Sequence, residues 1–144
     1  MRTVCDESGR RYLLVKQSDE SSLVRDPRTG DERYLENDRL DSVSGESPLE
    51  TSARRVSSPV RRILTAVPND RALGLLIEFY DRGPVPARSI VSAYDLCESD
   101  LHGLLAEFRA AGLIEERKIA GERGYGLTDI GTDGVASLVG DAEE

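Results

Sequence analysis

Residues 96–131, LCESDLHGLLAEFRAAGLIEERKIAGERGYGLTDIG, decide the fold. From Glu98 to Ala111 the apolar residues Leu101, Leu104, Leu105 and Phe108 follow one another at steps of three, one and three. That spacing puts them on one stripe of a helix. Gly112 stops the helix, and the chain enters a strand at Ile114. The segments 114–119 and 125–128 read as two strands flanking the turn Ala120-Gly121-Glu122-Arg123-Gly124. Thr128-Asp129-Ile130-Gly131 then caps a last helix whose apolar positions are Val135, Leu138 and Val139.

Upstream, Asn69 or Asp70 caps a helix with Ala72, Leu73, Leu76, Ile77 and Tyr80 on one face, stopped by Gly83-Pro84. A short helix from about Ala87 to Tyr94 turns Ile90 and Val91 inward. Three helices, a hairpin and a further helix over residues 70–140 make a winged helix-turn-helix, ahead of an acidic tail at 141–144.

Before it, Ser47-Pro48-Leu49-Glu50 supplies an N-cap, a first-turn proline and a capping-box glutamate. The helix that starts there carries Leu49, Ala53 and Val56 and continues beyond Pro59, which kinks or restarts it, with Val60, Ile63, Leu64 and Val67. Residues 41–69 therefore read as a linker and connecting helix, with Arg54, Arg55, Arg61 and Arg62 on the polar face.

Residues 1–40 alternate like strands around Val4-Cys5, Tyr12 to Val15, Leu23-Val24 and Tyr34-Leu35. Their turns fall at Asp6-Glu7-Ser8-Gly9 and at Asp26-Pro27-Arg28-Thr29-Gly30, giving two antiparallel β-hairpins. A four-stranded meander of this length buries too little to stand alone, so it is expected to pack on the rest of the protein or on a partner chain. The fold class is thus α+β, a C-terminal winged helix-turn-helix preceded by a small β-hairpin module and a connecting helix.

Composition excludes several function classes. No apolar run approaches the roughly 18 residues of a membrane helix, and the charged N-terminus lacks the apolar core of a secretory signal, so no membrane partner and a cytoplasmic location are expected. Cys5 and Cys97 have no CxxC spacing and lack the further thiols of a zinc ribbon, so no metal or cofactor is expected and both read as free buried thiols. His102 is the lone histidine and belongs to no triad pattern, and Gly121 to Gly126 has the wrong spacing for a phosphate loop, so no enzyme is expected. Seventeen Arg and two Lys face 27 acids for a net charge of −8. That balance fits a halophile, where salt shortens the Debye length to about 3 Å at 1 M.

The quoted segment, about half the chain with its flanks, resembles the recognition helix, wing and following helix of MarR- and ArsR-like winged-helix regulators. The resemblance rests on Leu101, Leu105, Phe108, Ala111-Gly112-Leu113-Ile114 and Tyr125-x-Leu127-Thr128-x-x-Gly131. The whole chain also resembles a haloarchaeal group of proteins. The resemblance implies a DNA-binding transcriptional regulator, a homodimer on double-stranded DNA, with the helix 98–111 in the major groove and the wing 114–128 beside it.

It would put Glu98, Ser99, His102, Gly103, Ala106 and Glu107 against the bases, with Ser99 and His102 reading them and Arg123 probing the minor groove. Arg88, Arg109 and Lys118 lie close by, and Arg54, Arg55, Arg61 and Arg62 are available for the backbone. Against this stands the charge from Arg71 onward, seven bases to fourteen acids, unusual for a surface that meets a polyanion. The alternative is a winged-helix protein–protein interaction module that docks on a transcription-associated protein without touching DNA. A third expectation gives Cys97, at the entry to the helix, a role in reporting oxidation.

Overall fold

A computed structural model describes residues 1–140, and the acidic tail expected at 141–144 lies outside the described residues. The chain divides into two compact units, Met1–Val56 and Ser57–Glu144. Residues 41–69, read as one linker and connecting helix, are thereby split between the units.

In the first unit, β1 (Arg2–Cys5), β2 (Arg11–Gln17), β3 (Ser21–Arg25) and β4 (Glu32–Glu36) form the expected antiparallel meander. A short 3-10 turn (Asn37–Arg39) leads to β5 (Asp41–Ser42), which pairs with β1 and extends the sheet to the order β4-β3-β2-β1-β5. This fifth strand falls where a structureless linker was expected, because two exposed polar residues carry no period-two signal. Val4, Tyr12, Leu14, Val24 and Leu35 form one buried cluster, with Leu40 packed against it. Tyr12 is fully buried, yet its hydroxyl accepts a 2.6 Å hydrogen bond from Arg33.

The unit closes with α1 (Pro48–Ala53), whose N-cap is Ser47 as read, its hydroxyl accepting from the Leu49 amide, while the capping-box bond expected from Glu50 is absent among the described residues. Its buried residue is not the expected Leu49, which is 80% exposed, but Thr51. The Thr51 hydroxyl meets Thr3 of β1 at 2.6 Å and donates to Glu46 at 2.6 Å. Glu46 in turn accepts from Arg11 at 3.0 Å and Arg54 at 2.8 Å. A polar tether thus fixes this helix, whereas its apolar pattern had pointed to Leu49, Ala53 and Val56.

The second unit opens with α2 (Ser58–Ala66), a restart with proline in its first turn. Ile63 is its buried residue, and Leu64 is 63% exposed. Next come α3 (Asp70–Arg82), β6 (Val85–Pro86), α4 (Ala87–Tyr94), α5 (Glu98–Ala110), β7 (Ile114–Ile119), β8 (Glu122–Leu127) and α6 (Asp129–Val139). This is the winged helix-turn-helix order. Asn69 caps α3 through the Ala72 amide, and Gly83 ends it at a φ of 76°. The face of α3 is rotated from the expected one: Ala72, Leu75, Leu76 and Phe79 are buried, and Tyr80 is exposed. Leu75 and Phe79 belong to a core shared with residues of α5, β8 and α6, whose arrival a single-helix pattern cannot locate.

The wing is tighter than expected. Ile119 pairs directly with Glu122, so Glu122 to Gly124 belong to β8 and the turn is only Ala120-Gly121, at φ values of 51° and 82°. Two consecutive positive φ values give the type I′ geometry whose twist matches a two-residue hairpin. β6 adds a third strand, in the order β6-β8-β7. The last helix keeps Val135 buried, whereas Leu138 and Val139, expected inward, are exposed. Among the described residues no helix is long and apolar enough to cross a membrane.

Two outcomes follow from this packing. At Gly131 a Cβ would lie 2.2 Å from the Leu113 carbonyl oxygen, whereas at Gly103 it would meet nothing within 4 Å. Gly131→Ala should therefore cost at least about 2 kcal/mol by overpacking, and Gly103→Ala should stabilise the second unit by up to about 1 kcal/mol. Urea unfolding of both variants tests the contrast, and equal midpoints would contradict it.

In the first unit, the hydrogen bond from Thr51, with the charges of Arg11 and Arg54, holds the Glu46 carboxyl below its usual value of 4.5, while burial pushes the other way. A lowered folded-state value contributes stability that is complete above the unfolded value and disappears as pH falls through the folded one. Glu46→Gln should cost about 1–3 kcal/mol at neutral pH and should weaken the loss of stability on acidification. Denaturant titrations at neutral and acid pH would show an unchanged pH dependence if Glu46 had no such part.

Candidate nucleic-acid interface

The core holds α5 by one face. Leu101, Leu105 and Phe108 are buried, while Ser99, His102, Gly103, Ala106, Glu107, Arg109 and Ala110 are exposed. At 3.6 residues per turn, Ser99, Gly103, Ala106 and Ala110 lie opposite the buried stripe. The outermost strip of the helix is therefore small and uncharged. His102 and Arg109 border it on one side, Asp100 and Glu107 on the other. Glu98 and Asp100 sit in the first turn and Arg109 in the last, the placement a helix dipole favours.

Arg62, expected to contact DNA backbone, is engaged at the far end of α5, where it donates a 3.1 Å hydrogen bond to the Ala111 carbonyl oxygen. That bond satisfies one of the carbonyls left open at a helix C-terminus and ties α2 to α5. Thr128 completes the same corner. Its hydroxyl donates to the Gly112 carbonyl at 2.6 Å and accepts from the Gly131 amide at 3.1 Å, while its own amide donates to Leu113 at 3.0 Å.

The cations of the wing are paired almost one for one. Arg117 pairs with Glu115 at 2.8 Å and Arg123 with Glu116 at 2.9 Å, and Arg88 of α4 pairs with Glu122. The side chains of Lys118 and Arg109 make no hydrogen bond or ion pair among the described residues. His102 lies 3.8 Å from Glu98, both exposed. Exposed pairs of this kind are worth about 0–1 kcal/mol each, so exchanging a carboxylate for a phosphate costs little in pairing energy.

The second unit carries Arg88, Ser99, His102, Arg109, Lys118 and Arg123 on α4, α5 and the wing, and Arg61 and Arg62 on α2. Arg54 and Arg55 belong to the first unit, where Arg54 pairs with Glu46 and Arg55 is exposed. Sequence reasoning missed the structural use of Arg62 and the acid partner of each wing arginine. Only the Arg123–Glu116 pair crosses between the two wing strands, whose register depends on a two-residue turn where a five-residue turn had been read; Arg117–Glu115 lies within β7, and Arg88–Glu122 joins α4 to β8.

Cys97 is exposed, contrary to the buried thiol expected, because it is the N-cap of α5 and stands clear of the core. Its sulfur lies 2.9 Å from the Ser99 hydroxyl. That contact, aided by the amides of Asp100 and Ser99, holds the thiol below its usual range, against the opposing charge of Asp100. Among the described residues no group of three or more His, Cys, Asp and Glu could hold a metal ion.

A model of the family of unknown function DUF7346 matches residues 1–139, and so spans both units. No curated protein matches the chain. Two solved structures are similar to part of it. HlyU from Vibrio cholerae N16961 is 28% identical, with 57% of this chain and 89% of that one covered and a TM-score of 0.48. The transcriptional regulator HlyU from Vibrio vulnificus CMCP6 is 24% identical, with 60% and 91% covered and a TM-score of 0.49.

Alkylation of Cys97 by iodoacetamide, followed against pH by mass spectrometry, should show a midpoint below that of an ordinary thiol. Ser99→Ala should move it upward. A midpoint indifferent to that change would remove Ser99 as the cause.

Proposed function

The chain belongs to the DUF7346 family, and we propose that it is a DNA-binding transcriptional regulator that reads duplex DNA with α5 and the β7–β8 wing. The observation that supports this best is the presentation of α5. Its outer strip of Ser99, Gly103, Ala106 and Ala110 lies exposed and uncharged opposite a fully buried stripe. A strip with so little side chain beyond Cβ allows close approach to base edges in the major groove. In this reading Ser99 and His102 contact bases, Arg123 enters the minor groove, and Arg88, Arg109 and Lys118 meet phosphates, with Arg61 as a further backbone contact.

The acids around this surface set the conditions. From Glu98 to Leu127 there are six acids and four bases, so attraction over a distance does not assist binding. In molar salt that cost fades as the Debye length falls to about 3 Å, leaving hydrogen bonds and shape to decide affinity. A salt-rich cytoplasm suits this reading. We assign a homodimer, with its contact on α2 and α6, since these helices leave Leu64, Leu138 and Val139 exposed. The acidic border of α5 at Asp100 and Glu107 supports a second reading, in which this surface docks on a transcription-associated protein without DNA.

Mobility-shift assays with genomic fragments in molar potassium chloride separate the two. Ser99→Ala combined with His102→Ala should reduce the preference for the best fragment by about tenfold or more. Arg123→Glu should weaken all fragments alike. A folded protein that binds no fragment at any salt concentration would overturn the regulator reading, and a strict monomer in sedimentation would overturn the dimer.

A further inference from the structure

The sheet unit holds a concentration of positive charge that α5 and the wing do not use. The β1–β2 turn, the β3–β4 turn and α1 meet around an open cleft of about 460 Å³. Arg10, Arg11, Arg28 and Arg54 line it, together with Ser8 and Gly9. Four arginines on one cleft stand out in a chain of net charge −8.

Each arginine starts from a braced position. One Asp6 carboxylate oxygen accepts from the amides of Ser8 at 2.9 Å and Arg10 at 3.0 Å, and one from Asp26 accepts from the Arg28 amide at 2.9 Å. Both turns are thus closed by their first aspartate, which orders the backbone that carries Arg10 and Arg28. Arg11 and Arg54 are positioned by their shared partner Glu46. The Arg10 guanidinium makes no hydrogen bond or ion pair among the described residues, and Arg28 reaches only Asp26, at 3.5 Å. A guanidinium presents five donors in a planar fork, so one carboxylate leaves most of them available.

The lining also limits what could sit there. It contains no aromatic ring, and Pro27 is its one apolar side chain. A ligand recognised by stacking or by apolar burial has little to hold. Asp6, Asp26 and Glu46 offset three of the four positive charges, so a singly charged anion gains little. Several negative charges spaced within one molecule engage several forks at once, and Arg is suited to phosphoryl oxygens in that way.

We propose that this cleft is a binding site for consecutive phosphoryl groups, carried either by a small polyphosphate-bearing molecule or by a nucleic-acid backbone. The site stands apart from the reading of α5 and the wing and does not depend on it.

Inorganic tripolyphosphate, titrated into the full chain at low ionic strength and followed by calorimetry and amide NMR, tests the site directly. Saturable binding is expected, with the largest shifts at Ser8, Gly9, Arg10 and Arg28. Arg10→Glu with Arg28→Glu should weaken it by about tenfold or more. A control pair, Lys16→Glu with Arg71→Glu, makes the same change of charge elsewhere and should leave the titration unaltered. Absence of saturable binding, shifts centred on other residues, or equal losses in both pairs would each overturn the site.

The source of the phosphates is then read from duplex DNA binding against salt, in the same variants. A shallower salt dependence confined to the Arg10/Arg28 pair identifies nucleic acid, and an unchanged one alongside lost tripolyphosphate binding identifies a small molecule.

Discussion

The second unit depends on one threonine. The Thr128 side chain and backbone hold Gly112, Leu113 and Gly131 at once, joining the end of α5, the end of the wing and the start of α6 within three hydrogen bonds. A hydroxyl suits that position because it donates in one direction and accepts in another. Gly131 must follow three residues later, since its missing Cβ is what lets the first turn of α6 lie against the Leu113 carbonyl. The spacing Leu127-Thr128-x-x-Gly131 is therefore a packing constraint. It fixes the angle at which α5 is presented and says nothing about what α5 touches.

Charge is organised differently in the two units. In the winged helix, acids stand beside the wing arginines in cross-strand or neighbouring pairs, leaving Lys118 and Arg109 without partners among the described residues. In the sheet unit, acids sit behind the arginines as braces, and Glu46 holds two of them while being held by Thr51. The net charge of −8 conceals both arrangements. An average over the chain predicts repulsion of any polyanion, whereas the local geometry creates one surface with near-balanced charge and one cleft with a surplus of arginine.

Elements with strong local signals were legible in the sequence. The stripe of α5 at Leu101, Leu105 and Phe108, the caps at Ser47 and Thr128, and the stop at Gly83 stand where they were read, while Leu104 is only half-buried and Asn69 rather than Asp70 caps α3. The readings that failed share a cause. Leu49, Tyr80, Leu138 and Val139 are apolar at helical spacing and yet exposed, because a helix pattern identifies an apolar stripe without identifying which neighbour arrives to cover it. Strand β5 was missed because its hydrogen bonds depend on register with β1, far away in the chain, and the two-residue wing turn because Glu122-Arg123-Gly124 carries no strand pattern of its own and pairs only in register with β7.

By itself, then, the sequence determined the order of the helices and of the longer strands, the buried stripe of α5 and the residue types of the corner from Gly112 to Gly131, because spacing and local caps are written into neighbouring residues. Tertiary structure alone decided the use of the charged residues. Arg62 became a clasp on α5, the wing arginines acquired acid partners, and Arg10, Arg11, Arg28 and Arg54 converged from two turns and a helix. A charged side chain has no periodicity that reveals its partner. Its role is set by whichever groups the folded backbone brings within a few ångströms, and that distance exists only once the chain is folded.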